Sequence, residues 1–169
     1  MPVKYLPVVP DYMPSIENDF LPLRPMVPQD VDAVMAVETC AFPYPWTAGI
    51  FHDCLKHGYS CWIYEQEEEV AGYAVVMFAV DEMHLLNICI RPQDHGKGLG
   101  SRLLKTLERI ARGIKAETCF LEVRQSNFSA IRLYLNAGFN EVGLRKAYYP
   151  AAIGREDAIV MAKTLLNVL

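Results

Sequence analysis

The chain has 169 residues, 52% of them hydrophobic and 11% aromatic, a size and composition that fit one domain with a sizeable core rather than two. Its formal net charge of -4 and pI near 5.6 exclude the global basic footprint of a protein held to nucleic acid by phosphate contacts, leaving room only for a local patch. No run approaches the roughly 18 consecutive apolar residues of a membrane helix, and prolines interrupt the start where a secretion signal carries its apolar core, so a cytoplasmic protein with no membrane partner is expected.

Residues 1–20 carry Pro2, Pro7, Pro10 and Pro14 and read as an irregular proline-rich N-terminal arm, docked through Tyr5, Leu6 and Tyr12 or mobile. Residues 21–169 read as a single domain. "LPLRPM" is a short strand, and "PQDVDAVMAVETCAF" is a helix with Pro28 in its first turn and Val31, Val34 and Met35 on one face. "TAGIFHDCLKHG" is a second helix, ended by Gly58. The runs "SCWIYEQ", "EVAGYAVVMFAV" and "EMHLLNICI" then suggest an antiparallel meander, with the acidic "EQEEE" at a hairpin turn.

Two helix and strand pairs follow. Leu99, Leu103, Leu107, Ile110 and Ile114 recur at helical spacing and are expected on the sheet, with Glu108 and Arg112 as an i,i+4 pair on the solvent side. "TCFLEV" is the next strand. Asn127 is suited to cap a helix that offers Ile131, Leu133 and Tyr134 as apolar surface and stops at Gly138. "FNEVGLRKAYY" and "EDAIVMAKTL" are the last two strands, the second expected to close the sheet. The order βααβββαβαββ predicts an α/β (α+β) three-layer fold: a central mixed, mostly antiparallel sheet of about seven strands flanked by about four helices.

The five cysteines, Cys40, Cys54, Cys61, Cys89 and Cys119, are odd in number and lack zinc-type pairs. They read as reduced, buried thiols, and no metal site is expected.

"HGKGLG", residues 95–100, places three glycines where a strand hands over to a helix. A nucleotide P-loop needs a hydroxyl residue after its lysine, but Lys97 is followed by Gly98. The dinucleotide fingerprint needs glycine at position 101, where Ser101 stands. What remains is a loop whose unpaired backbone N–H groups, backed by the positive end of a helix dipole, cradle a diphosphate without a metal. Coenzyme A carries such a group.

These residues resemble the GCN5-related N-acetyltransferases (GNAT), whose cofactor loop is [QR]-x-x-G-x-[GA]. His95 departs from the first position of that pattern. "HLLNICIRP", "LEVRQSNFSAIRLYLNAGF" and "YYPAAIGREDAIVMA" are similar to the bacterial group of ribosomal-protein-alanine N-acetyltransferases, the RimI type, from about Leu23 onward. The resemblance implies an acetyl-CoA-dependent acyltransferase whose partner is a ribosomal protein N-terminal peptide, beginning with the alanine of small-subunit protein eighteen. A monomer or weak homodimer is expected.

The resemblance also implies roles. Ile88, Cys89 and Ile90 offer backbone hydrogen bonds to the pantetheine arm; His95, Gly96, Lys97, Gly98, Leu99, Gly100 and Ser101 form the diphosphate loop; Asn127 touches the cofactor near its acetyl end. Glu122 matches the general base and Tyr134 the general acid. Tyr44, Trp46, Tyr148 and Tyr149 are candidate walls of a peptide cleft, with local packing as the alternative for each.

The residues themselves allow other roles. Glu122 lies in an apolar strand, where a carboxylate is costly unless paired or working, so an ion pair with Arg124 or Arg145 is the competing assignment. For Tyr134 the competitor is a core aromatic with its hydroxyl on a carbonyl. Asn127 serves as a helix cap in either case, and Cys89 suits a small buried residue better than a nucleophile. Glu38 and Glu141 are candidates to attract a positively charged N-terminus. Two other functions stay open: acetylation of a lysine or small-molecule amine, and acetyl-CoA binding without turnover.

Overall fold

The computed structural model describes residues 19–166, and the predicted arm, with Tyr5, Leu6 and Tyr12, lies outside them except for its last two residues. Strands β1 (Leu23–Pro25), β2 (Ser60–Gln66), β3 (Glu69–Ala79), β4 (Glu82–Ile90), β5 (Thr118–Arg124), β6 (Asn140–Pro150) and β7 (Arg155–Thr164) form one sheet. Helices α1 (Val31–Ala41), α2 (Ala48–Lys56), α3 (Leu99–Gly113) and α4 (Phe128–Asn136) cover it. This is the predicted order of elements.

The sheet runs β1-β2-β3-β4-β5-β7-β6. Among the described residues only β4 and β5 pair in parallel, joined by the crossover through α3; every other pair is antiparallel. The last strand does not close the sheet at its edge, as the linear order suggests: β7 inserts between β5 and β6, and β6 is left outside. Glu67 and Glu68 turn β2 into β3 with φ of 52° and 63°, the left-handed conformation that a two-residue hairpin of the right twist requires.

Each face of the sheet builds its own core. On one, Val31, Val34 and Phe51 from α1 and α2 pack against Ile63, Tyr73 and Val75. On the other, Leu103, Leu104 and Leu107 of α3 and Tyr134 of α4 meet Leu121, Val123, Phe139 and Met161. Each fully buried leucine contributes on the order of 1.5–3 kcal/mol. The predicted face of α3 is confirmed at Leu99, Leu103 and Leu107, whereas Ile114 lies past the helix end and is exposed.

Glu108 is a correction. It is 4% exposed, because Lys163, arriving from β7, donates to both carboxylate oxygens at 2.8 Å while Arg112 holds one at 3.2 Å. The helical pair is there, but the pair is an anchor between helix and sheet. Cys40 corrects the thiol expectation: it is exposed, while Cys54, Cys61, Cys89 and Cys119 are free and buried. Burial pushes the thiols of Cys61, Cys89 and Cys119 up to about 12. Before β1, the Leu21 N–H donates to Thr106 Oγ1 at 2.9 Å, and the Phe20 ring lies 4.0 Å under the Arg109 guanidinium. Among the described residues no helix is long and apolar enough to cross a membrane.

Candidate active site

The parallel pair is short. β4 and β5 match from Glu82↔Thr118 to Leu85↔Leu121 and then part, although β4 runs on to Ile90 and β5 to Arg124. A bulge causes the parting: Val75 opposes Asn87 while Val76 opposes Leu85, so Leu86 is the extra residue and turns β4 away. Beyond it Ile88, Cys89 and Ile90 keep their ladder with β3 but face no strand on the other side. The backbone polar groups on that side, apart from the Ile90 carbonyl that His95 takes, are available to a ligand, as buried main chain must be paired. Gly72 lets β3 follow: a Cβ there would stand 2.8 Å from the Cys89 carbonyl and 2.7 Å from Ile90 Cδ1.

At the open end of this wedge the chain turns through Pro92–Asp94 and enters α3 by the glycine loop. Gly96 and Gly98 have φ of 78° and 76°, and a Cβ on either would meet nothing within 4 Å among the described residues. Space therefore lies above both, and only glycine takes that backbone without strain. Gly98 caps the helix without a side-chain bond, so the first amides of α3 (Leu99, Gly100 and Ser101) have no capping partner among the described residues. The residues fit a diphosphate: bare amides, a helix start and an open cradle.

Side chains brace the loop from below. His95 lays Nε2 2.6 Å from the Ile90 carbonyl, so the residue that departs from the family pattern ties the loop to the end of β4. Lys97 reaches Asp94 at 2.5 Å and Arg91 binds the same carboxylate; these two cations hold Asp94 below the usual carboxylate range. Leu99 is buried beneath.

Glu122 is the first residue of β5 past the last parallel pair, at the mouth of the wedge. Its Oε1 forms an ion pair with Arg145, 2.9 Å from Nε, so of the two arginines proposed as partners Arg145 is the one used. Tyr134 is 6% exposed, its ring 5.7 Å from that of Phe139. Burial, then Tyr149 and Cys119, push its phenol above the ordinary range. The only buried side-chain polar atom without a partner among the described residues is Arg102 Nε. The Tyr134 hydroxyl makes no hydrogen bond among them. The expected carbonyl partner of a core tyrosine is not found. Asn127 caps α4, accepting from Ala130 N–H at 3.2 Å.

Sequence reasoning overlooked Arg124, weighed only as a partner for Glu122. Its guanidinium lies 5.0 Å from the Tyr44 ring and 4.5 Å from that of Tyr149, and it donates to the Pro150 carbonyl at 2.7 Å and to Glu156 at 3.2 Å. It thereby joins the loop after α1 to the β6–β7 hairpin across the end of β5. Tyr148 stacks edge-on against Tyr149 at 4.9 Å, on a bulge held by Asp157, which accepts from the Ala147 N–H, and by Arg155, which donates to the Ala147 and Tyr148 carbonyls. Tyr44, Tyr148 and Tyr149 gather at this end. Trp46 does not join them; it packs 5.3 Å from Phe51. Glu38 cannot meet an incoming N-terminus, being 2% exposed, whereas Glu141 is exposed on β6. No three His, Cys, Asp or Glu among the described residues gather as metal ligands.

A mixed sheet whose one parallel pair parts beside a glycine-opened helix start is the fold of the GNAT acyltransferases, which carry acetyl from acetyl-CoA to an amine. The model of the acetyltransferase (GNAT) family matches residues 31–139, and the chain belongs to that family. It is 39% identical to the [ribosomal protein bS18]-alanine N-acetyltransferase of Escherichia coli K12 over 135 residues, 79% of this chain and 90% of that protein. A putative enzyme of the same name from Bacillus subtilis is 33% identical over 145 residues, 85% and 95% of the two chains. The crystal structure of the Escherichia coli ribosomal-protein-S18-alanine N-acetyltransferase superposes with a TM-score of 0.80 at 34% identity, covering 88% of this chain and 97% of that one. The Ard1 structure from Thermoplasma volcanium, 22% identical with a TM-score of 0.77, shares the fold.

Proposed function

We propose that this N-acetyltransferase modifies a peptide α-amine, that of the N-terminal alanine of ribosomal protein bS18, in the cytoplasm. What supports the reading is Glu122 standing where β5 parts from β4, paired with the exposed Arg145, together with the buried Tyr134, whose hydroxyl has no hydrogen bond among the described residues. The names of the relatives support the acceptor.

Bound acetyl-CoA supplies an activated acyl carbonyl. The amides from Gly96 to Ser101 hold its diphosphate, and the main chain of Ile88, Cys89 and Ile90 guides its pantetheine arm, with Asn127 near the acetyl end. Glu122 takes the proton from the attacking amine. An α-amine of pKa about 8, against about 10.4 for lysine, asks little of such a base near neutral pH. Tyr134, which burial keeps protonated, donates to the departing thiolate. Tyr44, Tyr148 and Tyr149, with Arg124 among them, wall the acceptor cleft, and Trp46 supports the loop that carries Tyr44.

Free thiol release tests this with three acceptors: a peptide beginning with the bS18 alanine, an N-blocked lysine peptide and spermidine. The first should turn over at least tenfold faster, with the acetyl group on the alanine by mass spectrometry. Faster turnover of either other amine refutes the assignment, and saturable coenzyme A binding with no turnover would make the protein a sensor.

A further inference from the structure

Three charged side chains are buried on this chain among the described residues: Glu38, Asp94 and Glu108. Asp94 has Lys97 and Arg91, and Glu108 has Lys163 and Arg112. Glu38, the most buried at 2% exposure, has no cation among the described residues. A carboxyl group in that position is costly unless donors converge on it. Three do, from three separate elements. Its Oε1 accepts the Trp46 N–H at 2.8 Å, and its Oε2 accepts the Tyr73 hydroxyl of β3 and Asn87 Nδ2 of β4, the latter at 3.2 Å.

The two oxygens thus divide the work. One holds the loop after α1, residues 42–47; the other holds the sheet. Pro43 and Pro45 have no N–H, which leaves that loop few backbone donors and makes the Trp46 amide its tie to the body. Asn87 follows Leu86, the bulged residue at which β4 leaves β5. Tyr44, two residues before the tie, is the loop's contact with Arg124.

We propose that Glu38 is a positioning residue for the acceptor: its carboxyl group fastens the Tyr44 loop to the parted segment of β4 and so sets the width of the cleft the peptide enters. The proposal rests on the peptide-acetylation reading above. It concerns geometry, not charge, and that separates two variants. In Glu38→Gln the amide oxygen still accepts from Trp46, while the amide nitrogen donates to Tyr73 and to a flipped Asn87. In Glu38→Leu every tie is lost.

Steady-state kinetics and acrylamide quenching of tryptophan fluorescence test this together, since Trp62 is 4% exposed and quenching reports on Trp46. Glu38→Gln should stay within about twofold of wild type throughout. Glu38→Leu should raise KM for the peptide about tenfold, about the net worth of one hydrogen bond, leave KM for acetyl-CoA within about twofold, and increase quenching. Equal loss in both variants, or a parallel rise in both KM values, overturns the proposal. Should Glu38→Leu not fold, amide exchange in the wild type decides: the Trp46 N–H should exchange at least about a hundredfold slower than an open loop amide, and fast exchange overturns the tie. Wild-type protein that binds coenzyme A but does not acetylate the peptide refutes the acceptor role and the reading it rests on, while slow Trp46 exchange would still uphold the tie.

Discussion

Tyr134 is a residue from which an atom can be removed without disturbing its packing. Its ring is buried against Phe139, and phenylalanine keeps all of that contact. An intramolecular hydrogen bond is worth about 0.5–1.5 kcal/mol net, and the Tyr134 hydroxyl makes none among the described residues, so Tyr134→Phe should change stability by less than about 0.5 kcal/mol. For a domain of this size that is a Tm shift of roughly 2 °C or less. A proton donor to the leaving thiolate is worth about a hundredfold in rate or more, roughly 2.7 kcal/mol in the barrier. The assay is free thiol release at saturating acetyl-CoA and peptide, with calorimetric titration of coenzyme A as the control for binding. The variant should lose about a hundredfold in kcat and bind the cofactor as before. Because burial raises the Tyr134 phenol, wild-type kcat should show no alkaline fall from this group below about pH 10. A Tm lowered by about 5 °C or more with kcat unchanged would make Tyr134 a core residue and refute the reasoning.

Gly98→Val should fold, losing only the strain of a side chain at φ 76° with no neighbour to strike, about 1–2 kcal/mol, yet coenzyme A binding by calorimetry should disappear; retained binding contradicts the cradle. Glu122→Gln should leave Tm nearly unaltered, since its pair with the exposed Arg145 is worth under about 1 kcal/mol, while kcat/KM for the peptide falls near neutral pH and recovers as pH nears the α-amine pKa of about 8. An unchanged neutral rate removes Glu122 as the base. Glu156 is held below its ordinary range by Ser126 and then Arg124, and Asp157 by the Ala147 N–H and then Lys146. A depressed carboxyl pKa stabilises fully above the unfolded value of about 4 and is lost as pH falls through it toward the folded value. On acidification below about pH 4, therefore, the Ser126 and Ala147 amides should exchange faster before those of Leu121 and Val123, and simultaneous acceleration everywhere would refute a locally held hairpin.

Element order is legible in the sequence because periodicity is local: Leu99, Leu103 and Leu107 announce a helix face, and Asn127 and Gly138 bracket another. Strand order is a through-space property, and nothing within "EDAIVMAKTL" distinguishes an edge strand from one inserted beside β5. Glu108 was misplaced for a similar reason, since the lysine that buries it is 55 residues away. The glycine cradle could be read because positive φ and close approach leave a residue-type mark. The wedge could not, because the bulge at Leu86 substitutes one apolar residue's place for another's, and Arg124 looks like any charged strand end until Tyr44 and Tyr149 are brought to it.

The parted pair has a mechanical corollary. Among the described residues, four residue couples, Glu82↔Thr118 to Leu85↔Leu121, with the Glu117 and Thr118 amides on the Asp81 carbonyl just before them, form the short main-chain stitching between the N-terminal and C-terminal halves of the sheet. A ligand lodged between β4 and β5 acts as mortar across that seam, and free energy spent on its capture also resists separation of the halves. Resistance to heat should climb with the logarithm of ligand concentration, as RT ln(1 + [L]/Kd) requires, and the unliganded seam is where the molecule first yields under load.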